Sequence, residues 1–228
     1  LYNLDLDEEP IDVFIIQPNI DPYSEKYTRT DKDNYHYVHD LLEENIHSIL
    51  HKINPDIVIN CVGITTRRGV QENIQNAKKL NTDLPHKIDS WAGSNSKKLI
   101  HFSTDCVFSG DRGNYNDNDF TDADDIYGKT KADGEVNSES TLTLRCSMIG
   151  REMYNFTELF EWLFKNKNKN ISGYSRVMYS GITNVRMGKI IKKIIKDHYN
   201  LSGIYNVSSI PISKFELLSK LSNVFDLN

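Results

Sequence analysis

The sequence is poor in the residues that build metal and disulfide sites. Its three cysteines, Cys61, Cys106 and Cys146, are odd in number, far apart and without a CxxC pair, so neither a disulfide framework nor a thiolate metal site is expected. They read as small buried apolar side chains in a reducing compartment, which makes a cytoplasmic protein the expectation. The seven histidines contain no HExxH, and no metal ligand set is expected. Long apolar runs are missing too: each spans only a few residues, too short for a membrane-spanning helix. The N-terminal LYNLDLDEEP is acidic and lacks the apolar stretch of a signal peptide. A formal net charge of −5 leaves no basic excess, which argues against a nucleic-acid surface, because neutralising phosphates needs clustered Lys and Arg.

What is present describes a globular α/β chain. The 228 residues, 38% hydrophobic and 26% charged, fit one large domain, alone or with a small second lobe. Apolar runs rich in β-branched residues occur at DVFII (12–16), DIVINCVGI (56–64) and KLIHFS (98–103), with TLTLRCSMIG (141–150) and IYNVSS (204–209) as two more candidates. Between the second and third, Ile74, Ala77, Asn81, Leu84, Ile88 and Trp91 recur at helical intervals, an apolar face interrupted only by Asn81. Strands separated by helical patterns predict a parallel sheet with helices on both faces. The segment YHYVHDLLEENIHSILHK fits a helix, although Tyr35 to Val38 fits a short strand equally; Pro55 predicts a helix end at or before Asn54. KNKNKN (165–170) reads as a solvated loop or frayed helix end. MGKIIKKIIKDH (187–198), with Ile190, Ile191, Ile194 and Ile195 on one face, and PISKFELLSKL (211–221) predict two late helices.

The chemistry centres on YGKTK (127–131) and on HFSTDCVFSG (101–110) before it. On a helix, Tyr127 and Lys131 share one face. An ammonium beside a phenol favours phenolate and lowers the tyrosine pKa from about 10, which suits a general acid or base near neutral pH. Ser103, Thr104 and Asp105 stand at a strand's carboxyl end, where parallel α/β sheets bind ligands; a helix cap or turn explains the same residues equally. A hydroxyl such as Thr104 would share a substrate oxygen with Tyr127.

The ordered series INCVGIT, NTDLP, STDCVFSG, YGKTK and LRCSMIG resembles the extended short-chain dehydrogenase/reductases, and within them the dTDP-4-dehydrorhamnose reductase branch, over about Asp12 to Leu221. The resemblance implies a Rossmann-like sheet over 1–150 binding NADPH or NADH, and a small substrate lobe over 151–228, interleaved with the Rossmann core. It implies reduction of a 4-keto-6-deoxy nucleotide sugar, with Tyr127 as proton donor, Lys131 tuning it and binding the nicotinamide ribose, and Thr104 holding the keto oxygen. Asn60, Cys61, Val62 and Gly63 would form the strand-end turn against the cofactor, with Asp40 and Leu41 at the adenine and Ser103 and Asn81 nearby. Asn81 has an equal claim to a structural role. On the substrate side fall Thr65, Asp105, Met148, Arg151 and Arg176; Arg176 could meet a diphosphate or be an ordinary surface arginine. The partner implied is a nucleotide-linked sugar, and a homodimer is compatible with such a chain.

The branch's GxxGxxG turn, whose backbone N–H groups cradle the pyrophosphate, is absent from the sequence. The expectation is a piece of a longer protein lacking the first βα unit; the alternative is a non-catalytic binding or regulatory module that keeps the reductase fold. An epimerase or dehydratase on the same scaffold is a third reading, although Cys106 stands where a dehydratase would carry a glutamate.

Overall fold

The computed structural model describes residues 13–16 as backbone, and residues 41–42, 45–66, 70–71, 73–151 and 158–227 in full. The expected strand over Tyr35 to Val38 and the expected adenine contact of Asp40 lie outside the described residues. Five strands form one sheet in the order β1 (Val13–Ile16), β2 (Ile57–Asn60), β3 (Lys98–Thr104), β4 (Thr141–Cys146) and β8 (Gly203–Val207). The β1–β2 and β2–β3 pairs are parallel, with Ile57 opposite both Val13 and Lys98. All five apolar runs expected to be strands are therefore in this sheet, and the fold is Rossmann-like α/β.

The first crossover helix, α1 (Ile46–Ile53), starts where the Asn45 side chain accepts the His47 N–H and ends on Asn54 in the left-handed region. Pro55 follows, as expected of a residue that disfavours helix before it. The next crossover is an interrupted helix: α2 (Ile74–Ala77), a π-helical turn (Lys78–Asp83), then α3 (Leu84–Ser94). Its cause is local. Pro85 has no N–H to give the Asn81 carbonyl four residues back, and the chain widens so that the Leu84 N–H reaches five residues back to Lys79.

The described residues divide into two compact units, within Glu8–Leu144 with Ser202–Ile204, and within Arg145–Leu201 with Tyr205–Asn228. In the first, α1 and α3 close over the sheet through Ile46, Ile49, Leu50, Val58, Ile88, Trp91 and Leu99, with Leu41 packed against this cluster. Asp89 on α3 ties the start of β4 in place, its Oδ1 accepting hydroxyls from Ser138 (2.5 Å), Ser140 (2.8 Å) and Thr141 (2.6 Å).

The second unit is built from short pieces: β5 (Met148–Ile149) parallel to β7 (Ile182–Thr183), β6 (Met178–Tyr179) antiparallel to β9 (Ile212–Ser213), and helices α5 (Leu159–Lys165), α6 (Asn184–Asp197) and α7 (Lys214–Val224). Ser213 caps α7 in a reciprocal box with Glu216. Leu163 and Leu218 bury together with Leu227. No described helix is long and apolar enough to cross a membrane.

Ile88, with no exposed surface in the first unit's core, gives a direct test of this packing. Ile88→Ala is expected to cost about 2–5 kcal/mol in urea unfolding, the transfer term plus the cavity left behind; a cost below about 1 kcal/mol would contradict a close-packed α3–sheet interface.

Candidate functional site

The turn after β2 is held by two buried carboxamides, Asn60 and Asn81. Asn60, fully buried, accepts the Val62 N–H on its Oδ1 (3.0 Å). Asn81 reaches the same turn from the π-helical segment: its Oδ1 accepts the Ile64 N–H (2.8 Å), and its Nδ2 donates to the Ile64 carbonyl (3.0 Å) and to Thr130 Oγ1 (3.0 Å). A Cβ at Gly63 would stand 3.2 Å from Asn81 Oδ1, so any larger residue would press on that contact. Asn81, named for the cofactor by the sequence, is fully buried with both amide hydrogens engaged. Its part is to position the turn.

The orientation of Asn60 fixes the state of His101, the residue paired with it across β2 and β3. With Oδ1 on Val62, Nδ2 faces His101 Nδ1 at 3.1 Å. An amide NH₂ can only donate, so Nδ1 must accept and the ring hydrogen sits on Nε2. Nε2 is buried and has no hydrogen-bond partner among the described residues. Desolvation, then the charges of Lys131 and His86, hold His101 well below its ordinary pKa.

The helix that carries YGKTK, α4 (Ile126–Asp133), is capped by Asp125, whose Oδ1 accepts the Gly128 N–H (3.0 Å). Two glycines set its depth. A Cβ on Gly128 would lie 2.2 Å from the Cys106 carbonyl oxygen, and one on Gly134 would lie 1.9 Å from the Asn81 carbonyl oxygen. Only residues without a side chain let α4 pack backbone to backbone against the 3₁₀ turn Asp105–Val107 and the π segment. Thr130 locks the register: its hydroxyl donates toward the Ile126 (2.9 Å) and Tyr127 (3.1 Å) carbonyls while accepting from Asn81, and Thr82 donates to its carbonyl (2.8 Å).

Lys131 is 4% exposed, and its ammonium donates to the Phe102 carbonyl at the end of β3 (2.6 Å). Tyr127, one turn earlier, is half-buried. Thr104 ends β3 and caps the 3₁₀ turn, accepting the Cys106 N–H (3.2 Å) and donating to Asp105 (3.3 Å). Ser103, on the opposite face of the strand, donates to Glu135 (2.7 Å). Thr65 Oγ1 is buried with no hydrogen-bond partner among the described residues. Asp105 is exposed.

The cysteines depart from the expected pattern. Cys146 is buried, whereas Cys61 and Cys106, just past the ends of β2 and β3, keep exposed surface. The sheet core stops at those ends. Desolvation of the sulfur nevertheless pushes the Cys61 thiol up to about 12, with Lys131 pulling the other way; desolvation and then Asp105 raise Cys106 to about 11. Both are protonated thiols at neutral pH, and neither is a base or a thiolate nucleophile.

The first unit thus brings together Asn60 to Thr65, Asn81, Ser103 to Asp105, Tyr127 and Lys131. Leu41, the expected adenine contact, is partly buried and packs against the first unit's core cluster. The remaining candidates lie in the second unit: Met148 on β5, 46% exposed; Arg151, paired with Glu161; and Arg176, exposed after Ser175. Sequence reading passed over His101, Gly128, Thr130 and Gly134. The glycine–lysine–threonine spacing within YGKTKADG was the available signal for three of them.

A histidine held below its unfolded pKa of about 6.5 binds more protons when unfolded; its stabilisation is full above that pH and is lost as pH falls below it. Replacing His101 by Gln should flatten this acid limb. The check is the urea midpoint of both proteins between about pH 8 and pH 5; parallel curves would show that His101 does not titrate this way.

The family model described as RmlD substrate binding domain matches residues 24–172. The dTDP-4-dehydrorhamnose reductase of Aggregatibacter actinomycetemcomitans is 27% identical over 181 residues, covering 74% of this chain and 60% of that protein. Methionine adenosyltransferase 2 subunit beta of Pongo abelii is 24% identical over 205 residues, covering 82% and 60%. The chain therefore spans about 60% of the length of these curated relatives. The crystal structure of a hypothetical dTDP-4-dehydrorhamnose reductase from Sulfolobus tokodaii superposes with a TM-score of 0.74 at 25% identity, over 84% of this chain and 69% of that one. Structures of similar fold, at TM-scores of 0.69, 0.65 and 0.72, hold NADP, NAD and NAD+. With its Rossmann-like sheet and the YGKTK helix set against the end of β3, the chain belongs to the RmlD substrate binding domain family, among the reductase-like relatives of the extended short-chain dehydrogenase/reductases.

Proposed function

We propose that this chain carries the reactive centre of an NAD(P)H-dependent reductase acting on the keto group of a 4-keto-6-deoxy nucleotide sugar. One observation carries the reading: a buried lysine ammonium fixed near the carboxyl end of β3, the strand that Thr104 ends, and one helical turn after Tyr127. Tyr127 delivers its hydroxyl proton to the substrate oxygen, and the Lys131 charge stabilises the phenolate left behind. Thr104 turns its hydroxyl from Asp105 to the same oxygen. Bound NADPH or NADH supplies the hydride that adds to the carbonyl carbon.

The chain's own residues fit the nicotinamide end of that cofactor. The clamped turn Asn60 to Gly63 offers a rigid wall, and Lys131 a donor for the ribose. A glycine-rich cradle for the pyrophosphate is not among the 228 residues, so the assay requires the full-length protein. The thiol of Cys106, held at about 11, cannot serve as the extra base of a dehydratase, which favours plain reduction over elimination on this scaffold.

A second reading, a non-catalytic subunit, draws support from the relatives named methionine adenosyltransferase 2 subunit beta. The full-length protein is expected to oxidise NAD(P)H only when a keto-sugar nucleotide is present, and Tyr127→Phe to lower that rate by roughly a hundredfold or more. Loss of reduced-cofactor absorbance measures both. Equal rates in the variant would defeat the reductase reading, while tight binding of a protein partner with no turnover would favour the subunit.

A further inference from the structure

The two carboxamides that hold the turn after β2 are themselves secured differently. Asn81 engages both amide hydrogens with the Ile64 carbonyl and the Thr130 hydroxyl. Asn60 holds the Val62 N–H through Oδ1 (3.0 Å), and its Nδ2 lies 3.1 Å from Nδ1 of His101, its register partner on β3. Asn60 and His101 have no exposed surface.

A chain of forced choices runs through this pair. The Val62 main-chain N–H can only donate, so the Asn60 oxygen must face it and the amide nitrogen must face His101. That nitrogen can only donate as well, so the ring must present a bare Nδ1 and carry its hydrogen on Nε2. There the hydrogen meets no acceptor among the described residues. A buried donor left unmade costs about 1–3 kcal/mol, which a leucine at this position would avoid. What the imidazole supplies in return is an acceptor for Asn60. Without it the carboxamide has no favourable pose: Nδ2 is left unpaired, or the amide flips and sets Nδ2 against the Val62 N–H, donor against donor. Burial first, and then the charges of Lys131 on α4 and His86 on α3, oppose a second proton on the ring and keep Nδ1 bare.

We propose that His101 is a positioning residue for the cofactor, acting through Asn60: its Nδ1 fixes the carboxamide that pins Val62, and so keeps the turn after β2 in the shape a nicotinamide dinucleotide packs against. The assignment rests on the cofactor-facing role proposed above for Asn60 to Gly63. Being fully buried, His101 acts only through its neighbours. A turn held in advance does not have to be ordered when the cofactor arrives, so the effect falls on cofactor affinity.

The test is calorimetry of NADPH and NADH binding to the full-length protein, at a temperature where melting curves show every variant folded. His101→Leu is expected to weaken binding roughly tenfold. His101→Asn, whose Oδ1 falls where the ring carries Nδ1, should restore most of the loss. Asn60→Ala should weaken binding at least as much as His101→Leu, and the two together should be no worse than Asn60→Ala alone, because one interaction is removed twice. In histidine-labelled wild-type protein, heteronuclear NMR should find the His101 hydrogen on Nε2 and none on Nδ1 at neutral pH. A hydrogen on Nδ1, wild-type affinity in Asn60→Ala or His101→Leu, equal losses in His101→Leu and His101→Asn, or additive losses in the double variant would each overturn the assignment. The NMR measurement and Asn60→Ala decide it even where His101→Leu does not fold. Wild-type protein that binds neither cofactor would overturn it as well. Cofactor binding that depends on His101, in a protein that reduces no keto-sugar nucleotide, would support the positioning role while removing the reductase reading.

Discussion

The carboxamide of Asn81 joins the three segments on which the proposed reactive centre depends. It pairs with both polar groups of the Ile64 backbone, as a neighbouring strand would, and donates to the Thr130 hydroxyl. The turn after β2, the crossover helix and α4 are thereby locked to one another. A buried amide that satisfies three partners is costly to disturb, because each partner would be left in a site without water. The π-helical winding belongs to the same device. Pro85 frees the Asn81 carbonyl from the helix ladder, and Gly134 lets α4 approach that carbonyl closely. Tyr127 and Lys131 inherit their placement from this junction.

Charge around the strand ends follows from that packing. Lys131 is buried with its ammonium on a main-chain carbonyl, and two groups that feel its charge, His101 and Cys61, are kept neutral. His101 is held unprotonated by burial, by Lys131 and by His86, and its Nδ1 must remain an acceptor for Asn60. The thiols of Cys61 and Cys106 are held protonated. An ammonium in such surroundings is screened less than one on a surface.

The parts of this architecture that were legible in the sequence are those governed by burial along one segment. Runs such as DIVIN and KLIHFS are apolar because both faces of a central strand are covered, and each became a strand. The polar interruption at Asn81 was visible, but its purpose was not, since its partners Ile64 and Thr130 lie 17 and 49 residues away. The π turn escaped notice for the same reason that it forms: a single proline four residues on changes the winding without disturbing the apolar stripe. Gly128 and Gly134 look like ordinary helix-weakening residues until the backbones they admit are known. The two-residue strands of the second unit carry no periodic signal at all, because only the partner strand defines them.

The two units also differ in how their polar groups are satisfied, and this bears on what each is suited to do. Around α4 the side chains of Asn60, Asn81, Thr130 and Ser103 are engaged with protein, leaving a rigid frame in which small displacements are resisted. Chemistry that needs a hydroxyl and an ammonium at fixed separation benefits from such a frame. In the second unit Met148, Arg176 and the outer edge of Arg151 are exposed, on short elements with few mutual constraints. Side chains of that kind can be exchanged without disturbing a core. The residues that fix α4 and the exposed polar groups of the second unit belong to different hydrogen-bond networks, so a substitution in the second network leaves the first intact.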